Sequence, residues 1–143
     1  MNVFVVNGPN LNLLGEREPE IYGRLTLAEL EARIRARAKE LGLIVRFYQS
    51  NHEGRLIDRL HRMRHWADAV IINPAGLTHY SIALRDAIAA IEKPTIEVHL
   101  SDTKSREPFR ATSVTADVCV AQISGLGVDS YLQALERLAE RKA

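Results

Sequence analysis

The sequence has few of the features by which proteins bind metals, membranes or nucleic acids. Its single cysteine, Cys119, excludes an intrachain disulfide and a cysteine-rich zinc site. The 19 Lys and Arg residues nearly balance the 18 Asp and Glu residues, so we expect no nucleic-acid partner. No run approaches the roughly 20 apolar residues of a membrane span, and the first residues lack a signal-peptide pattern. We therefore expect a cytoplasmic protein with no membrane partner.

Length and composition predict a single globular domain over residues 1–143. Hydrophobic residues make up 46% of the chain and charged residues 26%, which is typical of a soluble folded domain and unlike a disordered one. A chain of this length buries enough surface to fold without a disulfide or a structural metal.

The hydrophobic pattern alternates between two periods along the chain. Short β-branched runs bounded by turn residues predict strands at 3–6, 43–47, 69–72, 95–98 and 118–123. Apolar residues spaced by three and four predict helices at about 27–41, 54–66, 80–91 and 129–140, and Ile82 of the third helix is expected to face inward. Thr26 and Glu29 have the form of a capping box for the first helix, and Gly42 suits its C-terminal end.

Strands that alternate with helices predict an α/β fold with a parallel sheet and helices on both faces. Right-handed crossovers favour a flavodoxin-like, doubly wound sheet of five parallel strands in the order 2-1-3-4-5. The connections at 8–25 and 100–117 are long for this architecture, and such connections are often functional lids. We expect a lid at about residues 15–25.

The predicted carboxyl ends of the strands, where such sheets bind ligands, carry amides, imidazoles and hydroxyls with almost no acids. A receiver domain would need clustered carboxylates there to hold magnesium. The first strand is followed by no G-x-G-x-x-G, and the chain has no Walker A lysine, so a nucleotide-phosphate cradle is not expected. These neutral groups favour a ligand that is rich in hydroxyls.

Two pairs of residues indicate proton transfer. Tyr22 lies between a proline turn and Gly23 in the first long connection, and its ordinary pKa of about 10 falls if a guanidinium lies beside it. Arg17 or Arg110 could supply that charge. Glu97 and His99 point to the same face of a strand, where a carboxylate prepares an imidazole to act as a general acid. A phenolate base and an imidazolium acid suggest a lyase that expels water from beside a carbonyl.

Two other classes of function remain open on these residues alone. One is a flavodoxin-like binding or receiver module, which would bind FMN or accept a phosphoryl group. The other is a metal hydrolase that uses His52, His79 or His99. A Schiff-base mechanism is not favoured, because none of the four lysines is expected in a buried apolar pocket.

Six segments, spread in order along nearly the whole chain, resemble the signature motifs of the type II 3-dehydroquinate dehydratases. They are 7–23, 49–54, 73–79, 83–87, 96–101 and 106–110, which read NGPNLNLLGEREPEIYG, QSNHEG, NPAGLTH, ALRDA, IEVHLS and REPFR. The resemblance implies a flavodoxin-like fold and the anti elimination of water from 3-dehydroquinate to give 3-dehydroshikimate, in the shikimate pathway or in quinate catabolism. It also implies that no metal and no cofactor take part.

The resemblance assigns a role to each matching position. Tyr22 would be the base, Arg17 would lower its pKa, and His99, oriented by Glu97, would protonate the departing hydroxyl. Asn10 would hold a water that stabilises the enolate oxygen. The remaining substrate-binding positions would be Asn73, His79, Asp86, Leu100, Ser101 and Arg110. Of these, Asp86 would reach the site of a neighbouring subunit, which implies trimers assembled into a dodecamer.

Overall fold

A computed structural model of the chain describes residues 1–142, apart from the side chains of Tyr22 and Lys142. Within this part, five strands form one parallel sheet: β1 (Asn2–Asn7), β2 (Ile44–Gln49), β3 (Ala69–Asn73), β4 (Thr95–His99) and β5 (Ala121–Ser124). The order across the sheet is β2-β1-β3-β4-β5, which confirms the predicted topology.

Five α-helices connect or follow these strands in the described chain: α1 (Pro19–Tyr22), α2 (Leu27–Glu40), α3 (Glu53–Met63), α4 (Ile82–Ile91) and α5 (Asp129–Lys142). One buried cluster contains Leu30 of α2 and Leu135 of α5, together with Val3 and Val5 of β1. The other contains Phe4 of β1 with apolar residues of α3 and α4. Because alternate residues of β1 enter different clusters, helices cover both faces of the sheet.

The first long helix begins and ends as its sequence predicts. The Thr26 hydroxyl accepts a hydrogen bond from the Glu29 backbone N–H at 3.2 Å, which satisfies one free donor of the first turn. Beyond the other end, Gly42 has φ of +72°, a conformation that an L side chain rarely adopts.

Three local predictions were wrong. Helix α3 ends at Met63 rather than near Trp66. Ile82, predicted to face inward, is 55% exposed because α4 starts at this residue, capped by Ser81. The fifth strand starts at Ala121, because residues 116–118 form a short 3-10 helix, so Cys119 precedes the strand instead of lying within it.

The first long connection is partly helical rather than a simple loop. A short 3-10 helix occupies Leu11–Leu13. Helix α1 starts at Pro19, and proline suits this first position because an N–H there would have no partner within the helix. No helix in the part of the chain described above is both long and apolar enough to cross a membrane.

Candidate active site

A cleft lies beyond the carboxyl ends of β1, β3 and β4 and has a volume of about 150 Å³. Its lining comes from the segments that follow these three strands. The lining residues are Pro9, Asn10, Leu11, Arg17, Asn73, Ala75, Gly76, His79, His99, Leu100, Ser101, Thr103, Arg106 and Arg110. This is the edge of the sheet at which doubly wound proteins bind their ligands.

Asn10 is held in a left-handed conformation at the mouth of the cleft, with φ of +70°. Asparagine tolerates this conformation better than most residues. The side chain of Asn51, just after β2, accepts a hydrogen bond from the Asn10 backbone N–H at 2.9 Å. Gln49 holds Asn51 in turn, since its Nε2 donates to the Asn51 Oδ1 at 3.1 Å. The end of β2 therefore fixes the loop that carries Asn10.

Gly8 allows the loops after β1 and β3 to approach each other closely. Its backbone N–H donates to the Asn73 carbonyl oxygen at 2.8 Å. A Cβ atom at this position would lie 2.6 Å from the Pro74 carbonyl oxygen, so any larger residue would push the two loops apart. This contact sets the spacing between the Asn10 side and the Asn73 side of the cleft.

His99 and Glu97 form a hydrogen-bonded pair at the floor of the cleft. The His99 Nε2 lies 2.9 Å from a Glu97 Oε2, and Glu97 is fully buried. An ionised carboxylate only accepts hydrogen bonds, so Nε2 carries a proton and donates it. The other ring nitrogen, Nδ1, is then left to exchange a proton with a ligand in the cleft.

Four neutral side chains also donate to the Glu97 carboxylate. Gln122 Nε2 donates at 2.7 Å and Ser113 Oγ at 2.9 Å, and the hydroxyls of Thr115 and Thr78 complete the set. Burial raises the pKa of Glu97, but the bonds from His99, Thr115 and Gln122 outweigh it and hold the pKa below its ordinary value. Glu97 is therefore a buried anion that has no lysine or arginine partner in these contacts.

The lowered pKa of Glu97 gives a testable pH dependence of stability. A carboxyl whose folded-state pKa is depressed stabilises the fold above its unfolded pKa of about 4.5, and this contribution is lost as pH falls through the lower, folded value. We expect Glu97→Gln to be less stable than the parent at neutral pH. Its free energy of unfolding should also fall less steeply than the parent's below about pH 5, as measured by urea denaturation.

Glu140→Gln, which changes an exposed glutamate of α5, is the matched control and should keep the parent's slope. If Glu97→Gln and the parent lose stability in parallel as the solution is acidified, the carboxyl does not have the depressed pKa inferred from its donors.

Three guanidinium groups, those of Arg17, Arg106 and Arg110, line the cleft, and none of its described lining residues is acidic. Glu18 lies at the edge of the cleft, and its Oε2 is 3.9 Å from the Arg17 Nη2 and 3.6 Å from the Arg106 Nη2. The side chain of Arg110 donates to Glu107. The cleft therefore suits an anionic ligand.

His79 is oriented by the segment that follows β4. Its Nδ1 lies 2.8 Å from the Thr112 carbonyl oxygen, which can only accept, so Nδ1 carries the proton of this bond. The ring also contacts Phe109 edge to face, with centroids 6.1 Å apart. His79 is thereby held at the cleft.

Most of the candidate residues from the sequence meet in this cleft. Those that line it are Asn10, Arg17, Asn73, His79, His99, Leu100, Ser101 and Arg110, and Glu97 lies directly behind His99. The side chain of Tyr22 is outside the described part of the chain. Asp86 lies on the exposed side of α4 and does not line the cleft, so its predicted contact with a neighbouring subunit stays a prediction.

The sequence did not predict the residues that hydrogen-bond to Glu97 and Asn73 from behind the cleft. The donors to Glu97 come from three separated segments, and Tyr131 of α5 contacts Asn73. Arg106 lines the cleft, although the sequence predicts only that it belongs to a signature motif. Its position between Ser101 and Arg110, which are both predicted to bind the substrate, is the only signal that could have indicated its place.

The described side chains do not bring together three or more His, Cys, Asp or Glu residues in a way that could hold a metal ion. Burial raises the pKa of the Cys119 thiol to about 12, and the charge of Glu97 adds to this effect, so Cys119 is not a reactive thiolate. No lysine lies among the described lining residues of the cleft.

A doubly wound sheet with a cationic cleft and a buried Glu97–His99 pair defines an α/β protein equipped for acid–base chemistry on an anion. The family model for class II dehydroquinases matches residues 1–139. The chain belongs to this family, and so it is a dehydratase, a hydro-lyase.

Individual relatives agree with this assignment. The chain is 56% identical over 138 residues to the 3-dehydroquinate dehydratase of Dictyoglomus turgidum, covering 96% of this chain and 95% of that one. It is 55% identical over 131 residues to the enzyme of the same name from Carboxydothermus hydrogenoformans, covering 92% and 85%. Its fold is similar to the crystal structure of the type II dehydroquinase from Butyrivibrio crossotus, with a TM-score of 0.94, 44% identity and coverage of 96% and 97%.

Proposed function

We propose that this chain removes water from 3-dehydroquinate to give 3-dehydroshikimate, by an anti elimination through an enolate. The observation that carries the proposal is the Glu97–His99 pair at the floor of a cleft lined by three guanidinium groups. This combination of positive charge and a proton donor suits an anionic substrate whose leaving hydroxyl must gain a proton. The names of the relatives described above support the same substrate.

In the first step, the phenolate of Tyr22 takes the proton from the carbon beside the ketone. The electron pair of that C–H bond moves toward the carbonyl oxygen and forms the enolate. Arg17, in the cleft and five residues before Tyr22, supplies the positive charge that favours the phenolate. We propose that residues of about 15–25 act as a lid that brings Tyr22 to the substrate, and that Asn10 holds a water beside the enolate oxygen.

In the second step, the enolate collapses and expels the hydroxyl group on the neighbouring carbon. Protonated His99 gives the proton at Nδ1 to this leaving group, which departs as water. Glu97 accepts the bond from Nε2 and stabilises the imidazolium from which the proton is given. The double bond that forms is conjugated with the ketone.

The remaining cleft residues hold the substrate in place. The loop of Leu100 and Ser101 binds the carboxylate, partly through backbone N–H groups. His79 and Arg110 bind ring hydroxyls, and Asn73 contacts both the substrate and His99. Asp86 completes the site of a neighbouring subunit, and the protein assembles as trimers that form a dodecamer.

We propose that the enzyme works in the cytoplasm, in the shikimate pathway that leads to chorismate and the aromatic amino acids. Residues 1–143 are one flavodoxin-like catalytic domain that uses no metal and no cofactor. Its partners are the substrate and other copies of the same chain, without nucleic acid or membrane.

The direct test is to add 3-dehydroquinate to the purified protein and to follow the absorbance of the conjugated enone. Absorbance that grows in proportion to enzyme, and that persists after exhaustive chelation, supports the proposal. No change in absorbance would contradict it, and enone formation that chelation abolishes would indicate a metal-dependent dehydratase and contradict the metal-free mechanism. Flavin absorbance in the purified protein would indicate an FMN-binding module.

A further inference from the structure

A buried hydrogen-bonded chain runs from the sheet interior to the cleft. The Tyr131 hydroxyl lies 2.6 Å from the Asn7 Oδ1 and 2.9 Å from the Asn73 Nδ2. Asn7 and Tyr131 are fully buried, and Asn73 is 3% exposed. Because Asn73 lines the cleft, these hydrogen bonds connect the cleft with the Tyr131 phenol on α5, which is not itself a lining residue.

The direction of every bond in this chain follows from one backbone donor. The Ala75 backbone N–H can only donate, and it lies 3.0 Å from the Asn73 Oδ1, so this oxygen is the acceptor and the amide cannot turn over. The Asn73 Nδ2 must then donate to the Tyr131 oxygen. Tyr131 in turn gives its own proton to the Asn7 Oδ1.

This arrangement needs a neutral phenol. Burial raises the pKa of Tyr131, although the bond from Asn73 lowers it in part, so the hydroxyl keeps its proton throughout the working range of pH. Tyr131 is thus suited to holding a neighbour in place and not to acting as a base.

Core packing alone does not explain why Asn7, Tyr131 and Asn73 are hydrogen-bonded to one another. Tyr131 lies in an apolar cluster with Leu135 and Leu138, where phenylalanine would fill nearly the same space. The Asn7 Nδ2 is buried and has no hydrogen-bond partner in the described part of the chain. A fully apolar arrangement would avoid this unpaired amide, so packing alone does not account for the network.

We infer that Tyr131 is a positioning residue, which fixes the side-chain amide of Asn73 so that its second Nδ2 hydrogen stays available to the ligand in the cleft. The Asn73 Oδ1 is occupied by Ala75 and its first Nδ2 hydrogen by Tyr131. One donor therefore remains. The inference rests on the proposed contact between Asn73 and the substrate.

A double-mutant cycle with Tyr131→Phe and Asn73→Ala tests this role. Tyr131→Phe removes the hydroxyl alone, and we expect kcat/KM for 3-dehydroquinate to fall about 10- to 100-fold, as for a misplaced contact group. In the Asn73→Ala background the same change should alter kcat/KM less than about twofold, because the group it positions is already absent. Each value is measured below the melting temperature of the variant, with the folded fraction taken from circular dichroism.

Ser130→Ala is the matched control, since it removes another fully buried hydroxyl from the same helix. The Ser130 hydroxyl accepts from the Leu126 backbone N–H, and neither residue lines the cleft, so this variant should lose stability without a change in kcat/KM. If Tyr131→Phe does not fold, Asn7→Ala enters the cycle in its place. It removes the acceptor at the other end of the chain and should show the same dependence on Asn73.

Equal effects of Tyr131→Phe in both backgrounds would overturn the inference and leave a structural role, as would a parent-like kcat/KM for Tyr131→Phe itself. A parent-like Asn73→Ala would overturn both the inference and the proposed contact of Asn73. Neither result depends on the proposed base, which is tested separately through Tyr22.

Discussion

Tyr22→Phe is expected to lower kcat for 3-dehydroquinate by about 10²- to 10⁴-fold or more while the substrate still binds. The change removes one oxygen, and under the proposed mechanism that oxygen is the general base. Losing a base of this kind typically has an effect of this size. The measurement is steady-state turnover by enone absorbance, combined with equilibrium binding of the product.

Tyr48→Phe is the matched control, because it deletes a phenolic oxygen from β2 and leaves the ring, which lies under the Arg59 guanidinium, in place. It should retain parent activity. A near-parent kcat for Tyr22→Phe would show that another group takes the proton. It would also contradict the proposed role of residues 15–25 as a lid that brings Tyr22 to the substrate.

His99→Gln is expected to have the second largest effect, a loss of about 10²- to 10⁴-fold in the overall rate. Glutamine can still donate to Glu97, but it cannot deliver a proton to the leaving hydroxyl. The first step needs only the base, so the enolate should still form and return to substrate. In deuterated solvent, the recovered substrate should therefore carry deuterium at the acidic carbon while little product appears.

His61→Gln on α3 serves as the control, since His61 lies outside the lining of the cleft. Product formation by His99→Gln at the parent rate would remove His99 from the role of acid. Loss of both product and deuterium exchange would instead place His99 in the first step.

The sheet was predictable because its signals are local. Each strand is a short β-branched run, and the parallel arrangement follows from the helices between the runs. The Glu97–His99 pair was predictable for the same reason, since residues two apart on a strand share a face. The observed distance of 2.9 Å between the two side chains confirms that part of the prediction.

The environment of Glu97 could not be predicted, because its donors are brought together by the tertiary fold. Thr78 precedes α4, Ser113 and Thr115 follow β4, and Gln122 belongs to β5. The same network explains the error at the fifth strand. Ser113 and Thr115 turn toward the buried carboxylate, and Ser113 also accepts from the Ala116 N–H, so this segment forms a short helix before the strand begins.

The contact between Tyr131 and Asn7 is an extreme case of the same difficulty, because the two residues are 124 positions apart. Each lies in an element whose local pattern predicts only burial. A helix tyrosine at an apolar position is most often a core residue, and no spacing rule connects it with an asparagine at the end of the first strand.

Under the proposed mechanism, the Tyr22 phenol loses its proton near neutrality when the site is closed over a ligand. The direct measurement is the near-ultraviolet absorbance of tyrosinate during a pH titration of the product complex, with Tyr22→Phe subtracted. We expect one tyrosinate whose midpoint lies near neutrality, roughly 3 units below the ordinary tyrosine value of about 10. A difference spectrum that appears only near the ordinary value would rule out Tyr22 as the phenolate base.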